Sequence, residues 1–268
     1  MSETVRVGVL LSSYTLREWE KQALLELFNH PEIDAAPEIL VVDTSQTGVQ
    51  DSIRSHLSDL SLWKAYRLVT LSLSSFSDPP WYIITTRVSE IGVFDDTEVI
   101  ECAPIPADGL GNELPSSAVS ALKEVDVAIR FGFGIIKGDA LTAPKYGMLS
   151  YHHGDLRAYR GRPAGFHEFV NREPTAGVTV QRLNESLDGG AIAALEKIEI
   201  DDAVSWSEVL DRLYQVSPTL LPMAVQNCID SSKGLTEPNS IGELYTMPSN
   251  KQTVKYLVER GRRMLVNI

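Results

Sequence analysis

Short apolar runs alternate along this chain with segments whose apolar residues fall at helical spacing. "VRVGVLL" (5–11) is a β-branched-rich run of the kind buried on both faces of a parallel sheet. From Thr15 to Phe28 the apolar residues Leu16, Trp19, Leu24, Leu25 and Phe28 predict a helix. "EILVVDTS" (38–45) is a second buried strand with a polar end. Strand, helix, strand is the α/β pattern. Neither a Gly-x-Gly-x-x-Gly fingerprint nor a Walker loop follows the first strand. Between 51 and 106 the pattern weakens. A helix is predicted through "DSIRSHLSDLSLWKAYRL" (51–68), then loop and short strands around Pro79 and Pro80, read as decoration of the fold. Order returns with a helix over 116–124, strand 126–134, short helix 138–143 and strand 147–153. A helix over 165–171, strand 176–183, turn 184–190 and strand 191–200 follow. Ser205 and Glu208 form an S-x-x-E start for the next helix, which Pro218 is expected to break or restart. The expected architecture is α/β: a Rossmann-like, doubly wound, mostly parallel sheet over residues 1–200. A C-terminal helical extension, 201–268, packs on that core.

Composition narrows the class. Of 268 residues, 43% are apolar and 22% charged, as in a folded soluble domain. Without an apolar run of about 18 residues no membrane partner is expected. The start, "MSETVRVGVLLSS", reads as a first strand and not as a secretory signal, so a cytoplasmic location is expected. Cys102 and Cys228 read as core residues. The formal charge of −12 disfavours nucleic acid as a partner. The basic tail "KQTVKYLVERGRRMLVN" (251–267) reads as an amphipathic helix with a solvated basic face, RNA binding being the less favoured reading.

Candidate chemistry gathers in "SYHHGDLRAYRG" (150–161), which holds two of the five histidines. It lies at the C-terminal end of a strand, where open α/β sheets bind ligands. Strand alternation sends His152 and His153 to opposite faces, which counts against a shared metal even with Asp155 nearby; no metal is expected. Asp188, before Gly189 and Gly190, suits a turn as well as a site. Arg160 suits an anion or a loop brace equally, and His167 reads as packing.

"GMLSYHHGDLRAYRG" followed by "AGVTVQRLNESLDGGAI" resembles the folate-dependent formyltransferases: the methionyl-tRNA, glycinamide ribonucleotide and sugar N-formyltransferases. The likeness is convincing over about residues 123–200, and in the N-terminal half it is one of element pattern only. It implies catalytic roles for His152, Asp188 and the residue at Ser150, where the family carries asparagine. Asp188 lies 36 residues beyond His152, the family's spacing. The resemblance places Arg130, Phe131, Gly132, Phe133, Leu183 and Leu187 on the folate side, and Tyr159, Arg160 and Gly161 on the substrate side. The implied reaction passes a formyl group from 10-formyltetrahydrofolate to a small amine, an amino sugar or sugar nucleotide being favoured. The alternatives are a 10-formyltetrahydrofolate hydrolase and a non-catalytic ligand-binding relative. Transfer RNA is disfavoured by the charge and by the want of a recognisable C-terminal β-barrel. A homodimer is allowed. Serine offers one hydroxyl on a short arm where asparagine offers an amide on a longer one, so the oxyanion donor is the open question.

Overall fold

A computed structural model describes residues 4–45, 61–74, 78–230, 232–238 and 240–266. The apolar runs become a seven-stranded sheet. Its strands are β1 (Val5–Leu11), β2 (Ala35–Asp43), β3 (Glu98–Cys102), β4 (Val127–Phe131), β5 (Met148–His152), β6 (Thr175–Arg182) and β7 (Ala191–Glu199). Their order across the sheet is β7-β6-β5-β4-β1-β2-β3. β3, β2, β1, β4 and β5 are parallel neighbours, and β6 and β7 close one edge in antiparallel pairing. The chain first winds outward from β1, then returns beside it as β4. That reversal makes a switch point at the strands' C-terminal ends.

Helices cover both faces. α1 (Glu18–Phe28) and α5 (Trp206–Ile229) lie over one, joined there by α2 (Leu62–Ser74) and α6 (Asn250–Val266) at the margin; α3 (Ser116–Leu122) lies over the other. α4 (Phe166–Asn171) follows the histidine-bearing loop. Alternation along the strands divides the core accordingly. Val9, Ile129 and Leu149 meet Trp19, Leu24 and Leu213, while Leu10, Ala128 and Met148 meet Ala118 and Leu122.

Four expectations need correction. The first helix starts at Glu18 and not Thr15, because Thr15–Arg17 pair as a short strand with Thr85–Arg87. The predicted strand over 126–134 ends at Phe131, because Gly132, Phe133 and Gly134 all take positive φ and turn the chain. The stretch from 51 to 106 is more than decoration, since Glu98–Cys102 forms the edge strand β3; the part of the predicted helix over 51–60 lies outside the described residues. Pro218 does not break its helix. α5 runs unbroken through Pro218 and Pro222. The buried face made by Val209, Leu213, Leu220, Leu221, Ala224 and Val225 holds it together. The Ser217 hydroxyl donates to the Leu213 carbonyl at 2.8 Å and the Tyr151 hydroxyl to the Ser217 carbonyl at 2.7 Å, serving acceptors near the missing proline donors.

Cys102 is buried and Cys228 half-buried, and burial raises both thiols to about 11, as inert core cysteines require. Among the described residues no helix is long and apolar enough to cross a membrane.

Candidate active site

β5 ends in Ser150, Tyr151 and His152, and its neighbours decide what each can do. His152 is 8% exposed, and its Nε2 lies 3.0 Å from the Tyr159 carbonyl oxygen. A carbonyl only accepts, so Nε2 carries the hydrogen and Nδ1 is left to face Asp188. The Nδ1–Oδ1 separation is 3.7 Å, close enough for ionic attraction and too long for a direct hydrogen bond. Gly154 permits this arrangement. A Cβ there would sit 2.7 Å from both the His152 Nε2 and the Tyr159 carbonyl oxygen. Gly177 on β6 does the same for the turn behind it, since a Cβ would fall 2.8 Å from the Asp155 amide nitrogen. Two positions along, the Thr179 hydroxyl donates to the Gly154 carbonyl at 2.7 Å.

Asp188 arrives on the loop between β6 and β7 with φ of +45°, a conformation aspartate tolerates better than most residues. The Asn184 amide donates to the Gly189 carbonyl at 2.9 Å and closes this loop. Arg160 fastens it from outside, donating from Nη1 to the Leu187 carbonyl at 3.0 Å and from Nε to the Gly242 carbonyl at 2.7 Å. Tyr159–Gly161 pairs in parallel with Glu243–Tyr245, so a C-terminal segment holds the loop. The Tyr159 hydroxyl donates to Glu173 at 2.7 Å, and its ring stacks on Tyr245. Asp155 is held by Arg157 at 2.9 Å and Lys197 at 3.2 Å.

Ser150 is 2% exposed and lies beneath a guanidinium. Arg130 is its cross-strand partner on β4, and Nη2 and Nε donate to the Ser150 Oγ at 2.9 and 3.2 Å. Nη1 donates to the Gly134 carbonyl. Of the five N–H groups of an arginine, two are left over. Burial holds Arg130 below the ordinary arginine pKa, against the raising pull of Asp188. A cation thus stands among Ser150, Asp188 and the β4 loop. Phe131 and Phe133 do not line this space with their rings. Phe131 packs edge-on to Trp19 and stacks on Tyr151, and Phe133 is 3% exposed in the core beneath α3. What this turn offers a ligand is backbone, shaped by Gly132 at φ +87°. Leu183 is half-buried against the same core, while Leu187 is exposed. Lys137 and Glu185 pair at 3.3 Å and hold the loop after β4 against the loop that carries Asp188.

His153 points to the other face. It sits edge-on to Trp19, and its Nε2 lies 3.0 Å from the Ser217 Oγ. The Ser217 hydrogen is committed to Leu213, so His153 donates and is fixed as the Nε2–H tautomer. Burial, reinforced by His152 and Arg17, lowers its pKa from 6.5 to about 3. The unfolded chain therefore binds a proton near pH 6.5 that the folded protein refuses until about pH 3. Stability is fully present above 6.5 and falls as pH drops through that window. Urea unfolding between pH 7 and 4 should show this loss, and His153→Phe should remove the equivalent of one proton from the slope. His167 is also a packing residue, stacked on Tyr245 with Nε2 3.2 Å from the Thr246 carbonyl oxygen.

A cavity of about 780 Å³ opens beside His152. It is walled by residues that the sequence pattern did not single out, among them Trp63 and Tyr66 of α2, Trp206 and Tyr214 of α5, and Tyr256 of α6. The one available signal was the pair Tyr256 and Arg260, four apart on the tail helix. That helix does not simply show a basic face to solvent. Arg263 donates to the carbonyls of Ile200, Asp201 and Ala203, Arg172 and Arg263 hold the buried Glu259, and Arg260 borders the cavity.

A sequence model of the formyl transferase family matches residues 99–225, from β3 into α5. Methionyl-tRNA formyltransferase of Caulobacter vibrioides is 32% identical over 103 residues, 38% of this chain and 33% of that protein. The Mesorhizobium japonicum protein of the same name is 26% identical over 147 residues, 54% of this chain and 46% of its own. The chain thus spans between a third and a half of these relatives' length. The structure of an N-formyltransferase from Helicobacter canadensis, with folinic acid and dTDP-3-aminofucose, superposes with a TM-score of 0.55 at 12% identity, over 90% of this chain and 71% of that one. Glycinamide ribonucleotide transformylase 1 from Symbiobacterium toebii gives 0.52 at 16% identity, over 90% and 95%. These two share the fold. Residues 99–225 thus carry the chain's likeness to the formyl transferase family.

Proposed function

We propose that the protein transfers a formyl group from 10-formyltetrahydrofolate to a small-molecule amine, with an amino sugar or sugar nucleotide as the favoured acceptor. The observation that carries this reading is the convergence of His152 Nδ1, Asp188 and the Arg130 guanidinium at the C-terminal ends of β4 and β5, beside a cavity large enough for an acceptor.

The amine nitrogen attacks the formyl carbon, forming a C–N bond and placing negative charge on the formyl oxygen. Arg130, propped on Ser150, supplies donors to that oxygen in place of an asparagine amide. The amine proton passes to His152 Nδ1, whose lone pair is directed by the Nε2–H bond to Tyr159, and Asp188 stabilises the imidazolium so formed. The carbon–N10 bond of the donor then breaks, N10 takes up a proton, and tetrahydrofolate leaves. The folate would lie along the turn after β4 and the exposed Leu187. Folinic acid in the Helicobacter canadensis structure supports a folate donor.

The test is incubation with 10-formyltetrahydrofolate and a panel of amino sugars and their nucleotide derivatives. Tetrahydrofolate release matched by N-formyl product, and dependent on the amine, is the expected result. Release with free formate in the absence of any amine would mean a hydrolase. Folate binding without turnover would mean a ligand-binding protein.

A further inference from the structure

The cavity beside His152 combines two kinds of wall. Seven Trp and Tyr rings border it: Trp63, Tyr66, Tyr82, Trp206, Tyr214 and Tyr256 from α2, α5, α6 and the segment after Pro80, and Tyr151 from β5. The only charged side chains among its described lining residues, histidine aside, are Arg67, Arg162 and Arg260, with no carboxylate. In a chain with 24 basic and 36 acidic residues this local surplus runs against the overall charge. None of the three is ion-paired to a described residue, whereas Arg6, Arg157, Arg172, Arg212, Arg262 and Arg263 all are. Arg67 instead lies over the Trp206 ring at 5.9 Å. The Arg260 Nε is shielded from solvent and has no hydrogen-bond partner among the described residues. A buried guanidinium donor left unmatched is costly, and an arriving anion removes that cost.

We infer that this cavity is an anion-and-ring subsite: it takes an acceptor whose amine is attached to a ring and which also carries a phosphate or carboxylate group. The inference rests on the formyl-transfer reading only for the word acceptor, since binding itself requires no folate. Aromatic walls favour a sugar or base ring laid flat against them. The arginines bind the anionic group, Arg260 from inside and Arg67 and Arg162 from the exposed mouth. A low-dielectric cleft lined by one sign of charge also raises the local concentration of anions. The ring and its anion are thereby held while the amine points to His152, which borders the same cavity.

Binding is read by calorimetry and by quenching of tryptophan fluorescence in the folate-free protein. The probes are glucosamine, glucosamine 6-phosphate, muramic acid and uridine diphosphate. At least one anionic probe should bind ten times or more tighter than glucosamine, and that preference should shrink with added salt. The tightest probe distinguishes phosphate, carboxylate and nucleotide as the anion's source. Arg260→Met should abolish the preference and leave glucosamine binding unchanged. Arg67→Met, at an exposed position, should weaken it about tenfold without shifting the melting temperature. Equal affinity for neutral and anionic probes, no binding of any probe, or a preference that survives in both variants would overturn the inference. Tight anion binding in a protein that transfers no formyl group would leave it standing and overturn only the proposed reaction.

Discussion

His152→Gln is expected to lower kcat/KM for acceptor-dependent formyl transfer by about 10²–10⁴, the range of a lost general base. Glutamine is chosen because its amide nitrogen can still donate to the Tyr159 carbonyl as His152 Nε2 does at 3.0 Å. The loop stays anchored while the Nδ1 lone pair facing Asp188 is gone. Folate affinity should therefore change little, and kcat should carry the loss. A parallel loss of folate affinity would instead mark His152 as a loop anchor. Near wild-type turnover would remove it from the chemistry altogether.

Arg130→Met should cost about 10²–10³ in kcat, the worth of a well-placed donor to a developing oxyanion. It also strips the Ser150 Oγ of both its guanidinium donors. Lysine should not rescue, because a single ammonium cannot span Ser150 and the Gly134 carbonyl as the planar fork does. Ser150→Asn in the Arg130→Met background should recover part of the rate, since asparagine brings an amide donor on a longer arm into the space the guanidinium vacates. Steady-state kinetics with saturating donor measures all three. Unchanged turnover in Arg130→Met would leave the oxyanion without the donor proposed for it.

Much of this arrangement was legible in the linear pattern, for identifiable reasons. β1, β2, β4, β5, β6 and the first half of β7 announce themselves because strand segments buried in a sheet must be apolar. Alternation at the end of β5 separated His152 from His153, and the structure sends one toward Asp188 and the other against Trp19 and Ser217. What escaped depends on contacts distant in sequence. β3 is a half-exposed edge strand, so Glu98–Cys102 lacks the apolar run of its neighbours. Pro218 sits inside a helix because packing outweighs a local rule. Arg130 could be placed near a ligand by resemblance, but its grip on Ser150 needed the β4–β5 register. Arg160 was open between ligand and brace, and its hydrogen bonds to the Leu187 and Gly242 carbonyls needed the folded loops to be seen. The arginine and aromatic cavity was least legible, since its walls come from 63 to 260 along the chain and no short motif joins them.

In the proposed reaction His152 and Asp188 act as one unit in moving the amine proton. The direct measurement is a double-mutant cycle on acceptor-dependent tetrahydrofolate release, using His152→Gln, Asp188→Asn and the two combined. Residues that share one proton transfer lose it once, so the double variant should be no slower than the worse single variant, within about threefold. Losses that multiply, leaving the double variant slower by the product of the two single effects, would show that the two residues act independently and do not share the proton transfer.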